Sequence, residues 1–269
     1  MKLYRLIALF SGLLGICAGV LRWMELQTGY TADGFAVPGN KYRLILIIIA
    51  ALALLIIAFF SVFMSISEKR KRPEIFLSLP KPIRIPYFVS AAAFGSAGIL
   101  RLIGSLSPLE LTGFIDSLLL IFSAISMIVM GLSLRRGDLE MSSGILVLFP
   151  VFWGCYHLIL SFRVDTRNPV IAAYIWRVLA FCILLLCLFY YAGMIYGRKP
   201  VRKLYAVSSG LLFGGSMLLI ENVLSLYIAF SAGKTEYYIT YAVPALIFFG
   251  GVMLAIYCIA SILRNKIKV

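Results

Sequence analysis

Charged residues are scarce in this sequence: Asp, Glu, Lys and Arg make up 13% of its 269 residues, whereas hydrophobic residues make up 62%. Soluble domains contain roughly 25% charged and 45–50% apolar residues, so the composition excludes an ordinary soluble protein. The short alternating segments of a transmembrane β-barrel are also missing, because runs such as residues 44–49 are apolar at every position. The sequence therefore predicts an all-α integral membrane protein.

Residues that carry common cofactor chemistry are also missing. The sequence has one histidine, His157, which excludes a bis-histidine haem and a histidine-rich metal site. No lysine falls in an apolar run, which excludes a retinal Schiff base, and the five cysteines form no C-x-x-C pair. The motifs of P-loops, zinc proteases and serine hydrolases do not occur. We expect no cofactor and no metal, and a lipid-modifying enzyme is the least favoured function.

Eight apolar runs are long enough to span a membrane, since a ~30 Å hydrocarbon core takes about 20 helical residues. They cover residues 3–24, 44–66, 85–106, 114–134, 145–162, 170–196, 204–230 and 241–263. The longest connections, residues 25–43 and 67–84, have too few residues to bury a core of their own. We therefore expect one polytopic membrane domain over residues 1–269, with no soluble domain.

Lys and Arg alternate from one connection to the next. With a cytoplasmic N-terminus, the cytoplasmic segments hold 17 of the 25 Lys and Arg residues but only 4 of the 11 acidic residues. Under the positive-inside rule this distribution predicts a plasma or inner membrane protein with both termini in the cytoplasm. The net charge of +14 is thereby explained by topology and lipid contact, without nucleic acid. The densest basic run is a candidate contact for anionic lipid or a partner protein, and comprises Lys69, Arg70, Lys71 and Arg72.

A short motif occurs twice. Ala-Gly-(Val/Ile)-Leu-Arg ends at Arg22 in the first run and at Arg101 in the third. This internal repeat predicts that the eight helices form four helical hairpins. In the first run, Ser11, Gly15 and Gly19 recur four residues apart, which favours close packing against another helix, either within the chain or in a homodimer.

The acidic and basic side chains inside the runs fall in the outer half when each residue is placed at ~1.5 Å along its helix. The candidate ligand-binding residues are Arg22, Arg101, Asp116, His157, Arg177, Glu221 and Asn222. Glu221 is the strongest candidate, because apolar residues follow it on the outer side and a carboxylate is too short to reach far. Two interpretations remain open. One is a structural ion-pair network, and the other is an outward-facing polar cavity in which arginines bind a carboxylate or phosphate while Glu221 or Asp116 takes a proton.

These features favour a small permease or secondary-transporter-like protein, because internal repeats and intramembrane charges are common in transporters. The alternative is a non-catalytic sensor or assembly subunit that binds a ligand, a lipid headgroup or a partner protein. The expected partners are the lipid bilayer, an anionic small molecule or lipid headgroup at the polar cluster, and a protein at the basic run.

Overall fold

The protein is entirely helical in the part of the chain that its computed structural model describes, which is residues 2–31, 37–62, 80–106, 110–136, 145–165, 171–197, 201–233 and 237–267. Eight helices lie in these ranges. They are α1 (Lys2–Thr28), α2 (Lys41–Val62), α3 (Lys81–Ser105), α4 (Leu111–Arg136), α5 (Leu148–Asp165), α6 (Ile171–Ile195), α7 (Val201–Ser231) and α8 (Tyr238–Ile267).

Each predicted run falls on one helix, but several helices begin earlier than their apolar run because charged residues occupy the first turn. α2 begins at Lys41, and the side chain of Asn40 accepts hydrogen bonds from the backbone N–H groups of Tyr42 at 2.9 Å and Arg43 at 3.4 Å. This is an ordinary N-terminal cap. α3 begins at Lys81, so the prediction that Arg84 lies in a loop is wrong.

Seven of the described helices are long and apolar enough to cross a membrane, which confirms a multi-pass membrane protein. α5 is the helix outside this set: it has 18 residues, and His157, Arg163 and Asp165 lower its hydropathy. It begins three residues later than predicted, which puts Pro150 in its first turn, where a missing N–H is harmless. The cytoplasmic location of both termini requires an even number of crossings and stays a prediction.

Six helices form a closed ring. From α3 to α8 each helix packs against the next in sequence, and α8 packs back against α3. α1 and α2 pack outside this ring, mainly on α7 and on each other. Large apolar side chains on α1 and α2 are exposed, among them Leu9, Leu13, Leu54 and Leu55. An exposed apolar surface of this kind is stable when it faces lipid.

Aromatic side chains fill the centre of the ring. Trp153 of α5 is fully buried and its ring lies 5.6 Å from that of Phe94 of α3. Phe181 of α6 lies 4.9 Å from Phe248 of α8, and His157 joins the two pairs through contacts with Trp153 and Phe181. Phe94, Phe181 and Phe248 each lie about ten residues, or roughly 15 Å, from the outer end of their helix. Close-packed aromatic residues therefore occupy the middle of the bundle.

The glycines of α1 bring this helix close to α7. A Cβ atom added to Gly19 would lie 2.6 Å from the backbone oxygen of Met217, and one added to Gly15 would contact the backbone of Phe213. The small-residue face of α1 is thus used for packing within the chain. The second copy of the motif packs differently, because Gly98 faces Ile121 of α4. The internal repeat and the hairpin arrangement stay predictions.

Candidate functional site

The predicted polar residues fall into two groups of contacts. The first, here called the α1–α7 cluster, consists of Arg22, Glu25, Tyr30, Arg43 and Glu221. The second, here called the Asp116 triad, consists of Arg101, Asp116 and His157. The sequence predicted a single polar cluster, and it could not show which helices are neighbours.

Arg22 is the centre of the α1–α7 cluster. Its guanidinium is 1% exposed and makes an ion pair of 2.6 Å with Glu25, one turn further along α1. Its Nε lies 3.5 Å from Oε2 of Glu221 on α7, so one arginine connects two carboxylates on neighbouring helices. The sequence suggested that Arg22 could extend to the headgroups. Instead, its full burial between carboxylates fits the pattern of charges that are paired inside a membrane protein.

Arg43 and Tyr30 complete this cluster from the first outer connection and the start of α2. Nε of Arg43 lies 2.9 Å from Glu25, and its guanidinium lies over the ring of Tyr30 at 5.4 Å. The Tyr30 hydroxyl lies 3.5 Å from Arg22 and can accept a hydrogen bond from it. Glu25 and Arg43 were absent from the predicted site. Each lies at the end of an apolar run, where charged residues commonly face the headgroups. They are 18 residues apart and flank one connection, which is compatible with an ion pair between them.

Glu221 is the least satisfied member of the cluster. It is 8% exposed, and within the described residues its Oε2 makes only a long contact of 3.5 Å with Nε of Arg22, which falls short of a well-formed hydrogen bond. Arg177 on α6 also acts on it electrostatically, in addition to Arg22 and Glu25. A buried carboxylate oxygen without a hydrogen bond costs free energy of roughly 1–3 kcal/mol or more, so it is a strong acceptor for any donor or proton that reaches it.

The Asp116 triad lies inside the ring, on α3, α4 and α5. Asp116 is fully buried, with Oδ2 at 2.7 Å from Nε of Arg101 and at 2.9 Å from Nδ1 of His157. Arg101 is 27% exposed, so its guanidinium extends toward the outer surface while its Nε faces the carboxylate. The single histidine of the chain is thus oriented by a carboxylate on one side and by the rings of Trp153 and Phe181 on the other.

Two predicted residues make other contacts. Arg177 is half-buried and lies over the ring of Tyr174 at 5.8 Å, one turn earlier in α6. Asn222 donates a hydrogen bond of 2.7 Å to the backbone oxygen of Leu218 in its own helix. Asn222 therefore has a local partner, whereas Arg177 contacts Tyr174 and acts on Glu221 through its charge.

Tyrosines in the opposite half of the ring were missed entirely. Tyr87, Tyr191 and Tyr257 are each at most 2% exposed, and their rings lie 4.9 to 6.2 Å apart. The candidate ligand-binding residues selected from the sequence were mainly charged side chains inside the apolar runs, and none of them lies in this half of the bundle. The basic run of Lys69, Arg70, Lys71 and Arg72 lies outside the described residues.

The chain matches no known protein-family model, no curated protein and no solved structure. The assignment of a function therefore depends on the side chains described above.

Proposed function

We propose that the protein is a small secondary-transporter-like permease that binds a monovalent anionic solute at Arg22, Arg177 and Glu221. The observation that carries this proposal is the buried carboxylate of Glu221, whose Oε2 has only a long 3.5 Å contact with Nε of Arg22 and on which Arg177 of α6 also acts electrostatically. Structural ion pairs buried in lipid are normally well hydrogen-bonded on both sides. An incompletely bonded pair is more typical of a site that exchanges a ligand or a proton.

Charge balance defines the ligand. The α1–α7 cluster together with Arg177 contains three arginines and two glutamates, which leaves one excess positive charge. A carboxylate or a singly charged phosphate ester would neutralise it through charge-assisted hydrogen bonds to Arg177. Glu221 would then take the accompanying proton or cation. Many secondary transporters couple their substrate to an ion in this way at a charged intramembrane site.

The orientation of the site follows from the distribution of basic residues. An excess of Lys and Arg in alternate connections supports cytoplasmic termini and hence an α1–α7 cluster that faces the outside. In this orientation the solute would enter from the outer surface of a cell membrane.

The aromatic core supports a second candidate function. Phe94, Trp153, Phe181 and Phe248 pack together in the middle of the ring, so a solute path through the ring would have to pass between these side chains. A transporter must separate these rings during its cycle, whereas a sensor or assembly subunit keeps them packed and only reports binding. We therefore retain a non-catalytic sensor or assembly subunit as the alternative.

A binding and uptake experiment tests these proposals. Purified protein in detergent would be melted with acetate, glutamate, succinate, methyl phosphate and inorganic phosphate, and any anion that stabilises it would be offered to proteoliposomes. We expect an anion to raise the melting temperature of the wild type but not of Arg177→Gln, and Glu221→Gln to abolish uptake. Arg135→Gln, an exposed arginine of α4, is the matched control and should behave like the wild type.

The outcomes separate the candidates. Binding with uptake supports the permease, and binding without uptake supports the sensor. If none of these anions binds, or if Arg177→Gln binds as well as the wild type, the proposed anion site is wrong.

A further inference from the structure

A groove lies at the opposite end of the ring from the Asp116 triad. Arg84 precedes Arg101 by 17 residues in α3, so the two arginines are about 25 Å apart along the helix. The enclosed part of the groove is about 10 Å³, room for about one water molecule, and the empty volume reaches about 220 Å³ when its open side is included. Its lining residues come from α3, α4 and α8, and are Arg84, Tyr87, Phe88, Gly131, Leu134 and Tyr257.

Nε of Arg84 is buried and has no hydrogen-bond acceptor within the part of the chain that the structure describes. The hydroxyl of Tyr87 is also buried and has the hydroxyl of Tyr191 as a partner, so it can donate to a ligand while it accepts from Tyr191. Arg84 also lies close enough to Tyr257 for its charge to act on that residue. A buried donor without an acceptor is costly, most of all when it is a cation. The matching ligand is an anion that accepts several hydrogen bonds.

The surroundings of the groove also favour an anion. Arg84 is on the second turn of α3, whose first backbone N–H groups have no side-chain cap, because Pro80 occupies the capping position. The N-terminus of a helix carries a partial positive charge that attracts phosphate. The exposed side chains of Lys81 at the start of α3 and Arg135 at the end of α4 add further positive charge at the same end of the bundle.

The remaining walls are apolar. Phe88 and Leu134 line the groove. Gly131 also lines it, and a Cβ atom added to this glycine would lie 2.9 Å from the rings of Tyr87 and Phe88. The combination of a cationic donor with an apolar wall fits an amphipathic molecule better than a free ion. Arginine forms paired hydrogen bonds with phosphate oxygens.

We propose that this groove binds the phosphate of an anionic phospholipid, with Arg84 and Tyr87 as donors to the phosphate oxygens and Phe88 and Leu134 in contact with an acyl chain. The ligand site does not depend on the transport proposal. It is separate from the outer clusters, and its failure would leave the role of Glu221 unchanged.

Lipid retention measured by native mass spectrometry tests the proposal. Delipidated protein in detergent would be titrated with phosphatidylglycerol, phosphatidylcholine or inorganic phosphate, and bound molecules counted. We expect one tightly bound phosphatidylglycerol on the wild type and binding about ten-fold weaker or more for Arg84→Gln, because a charge-assisted contact is lost. Arg135→Gln is the matched control: it removes the same charge at the same end of the bundle without touching the groove lining, and should keep the tight lipid.

Two further variants keep the test decisive. Arg84→Lys retains the charge but not the forked geometry of the guanidinium, so it should bind the lipid at an intermediate strength. It also replaces Arg84→Gln in the test if that variant fails to fold. Gly131→Ala narrows the groove and should weaken binding without changing any charge. Equal phosphatidylglycerol binding by the wild type and the Arg84 variants would overturn the site. If inorganic phosphate binds as tightly as phosphatidylglycerol and its binding depends on Arg84, the assignment to a lipid is overturned. If phosphatidylcholine binds as tightly as phosphatidylglycerol, the requirement for an anionic lipid is overturned.

Discussion

Replacing Gly19 with alanine tests how the packing of α1 on α7 positions the charged site. The added Cβ atom would lie 2.6 Å from the oxygen of Met217 and 2.7 Å from Cβ of Ile220, whereas carbon contacts are normally ~3.5–4.0 Å. The two helices must therefore separate by about 1 Å near this point. Overpacking of this kind costs roughly 1–3 kcal/mol. The contact between Arg22 and Glu221, now 3.5 Å, would also lengthen.

The assay is thermal unfolding in detergent, followed by the loss of the monodisperse peak in size-exclusion chromatography. We expect Gly19→Ala to lower the melting temperature by roughly 2–12 °C, at about 2–4 °C per kcal/mol. Gly12→Ala in the same helix is the control: a Cβ atom there meets nothing within 4 Å, so its melting temperature should stay the same or rise, since alanine favours a helix by about 1 kcal/mol. If the two variants melt alike, the close approach of α1 to α7 is wrong.

Three other variants test the buried contacts by the same melting assay. Asp116→Asn removes the charge that faces Arg101 at 2.7 Å and His157 at 2.9 Å, and should lower the free energy of unfolding by about 3 kcal/mol. This is the lower end for a broken buried pair, because Arg101 can turn toward water. Wild-type stability of this variant would contradict the pairing. Glu25→Gln leaves the buried guanidinium of Arg22 with one carboxylate and should cost roughly 3–5 kcal/mol, and a smaller loss than that of Asp116→Asn would show that Glu221 compensates. Trp153→Ala removes the largest fully buried side chain and should cost about 3–5 kcal/mol, while a loss below about 1 kcal/mol would mean that the ring is not closed there.

The helices were predictable because each is a run of apolar residues that needs no information about its neighbours. The misplaced ends share one physical cause. Lys41 and Lys81 begin their helices with charged side chains that reach the headgroup region, and hydropathy alone excludes such residues from a span. His157 and Arg163 lower the hydropathy of α5, although only His157 of the two is buried.

The candidate site was predictable in composition but not in connectivity. The sequence identified Arg22 and Glu221 as intramembrane charges, and the structure places them 3.5 Å apart across α1 and α7, nearly 200 positions apart in the chain. It likewise brings Asp116 to His157 from two helices. Glu25 and Arg43 were missed because each lies at the end of an apolar run. Only the structure shows that Nε of Arg43, in α2, lies 2.9 Å from Glu25.

The sequence by itself determined that lipid is the solvent of this protein and that its mass is helical. Each of these follows from the free energy of transferring single residues or single helices into a bilayer, which depends on local composition. Only the tertiary structure decided that the charges form two clusters, that aromatic rings close the bundle, and that Arg84 and Tyr87 share a groove. These features depend on which helix faces pack together, and that choice is made by contacts as specific as those of Gly19 with α7.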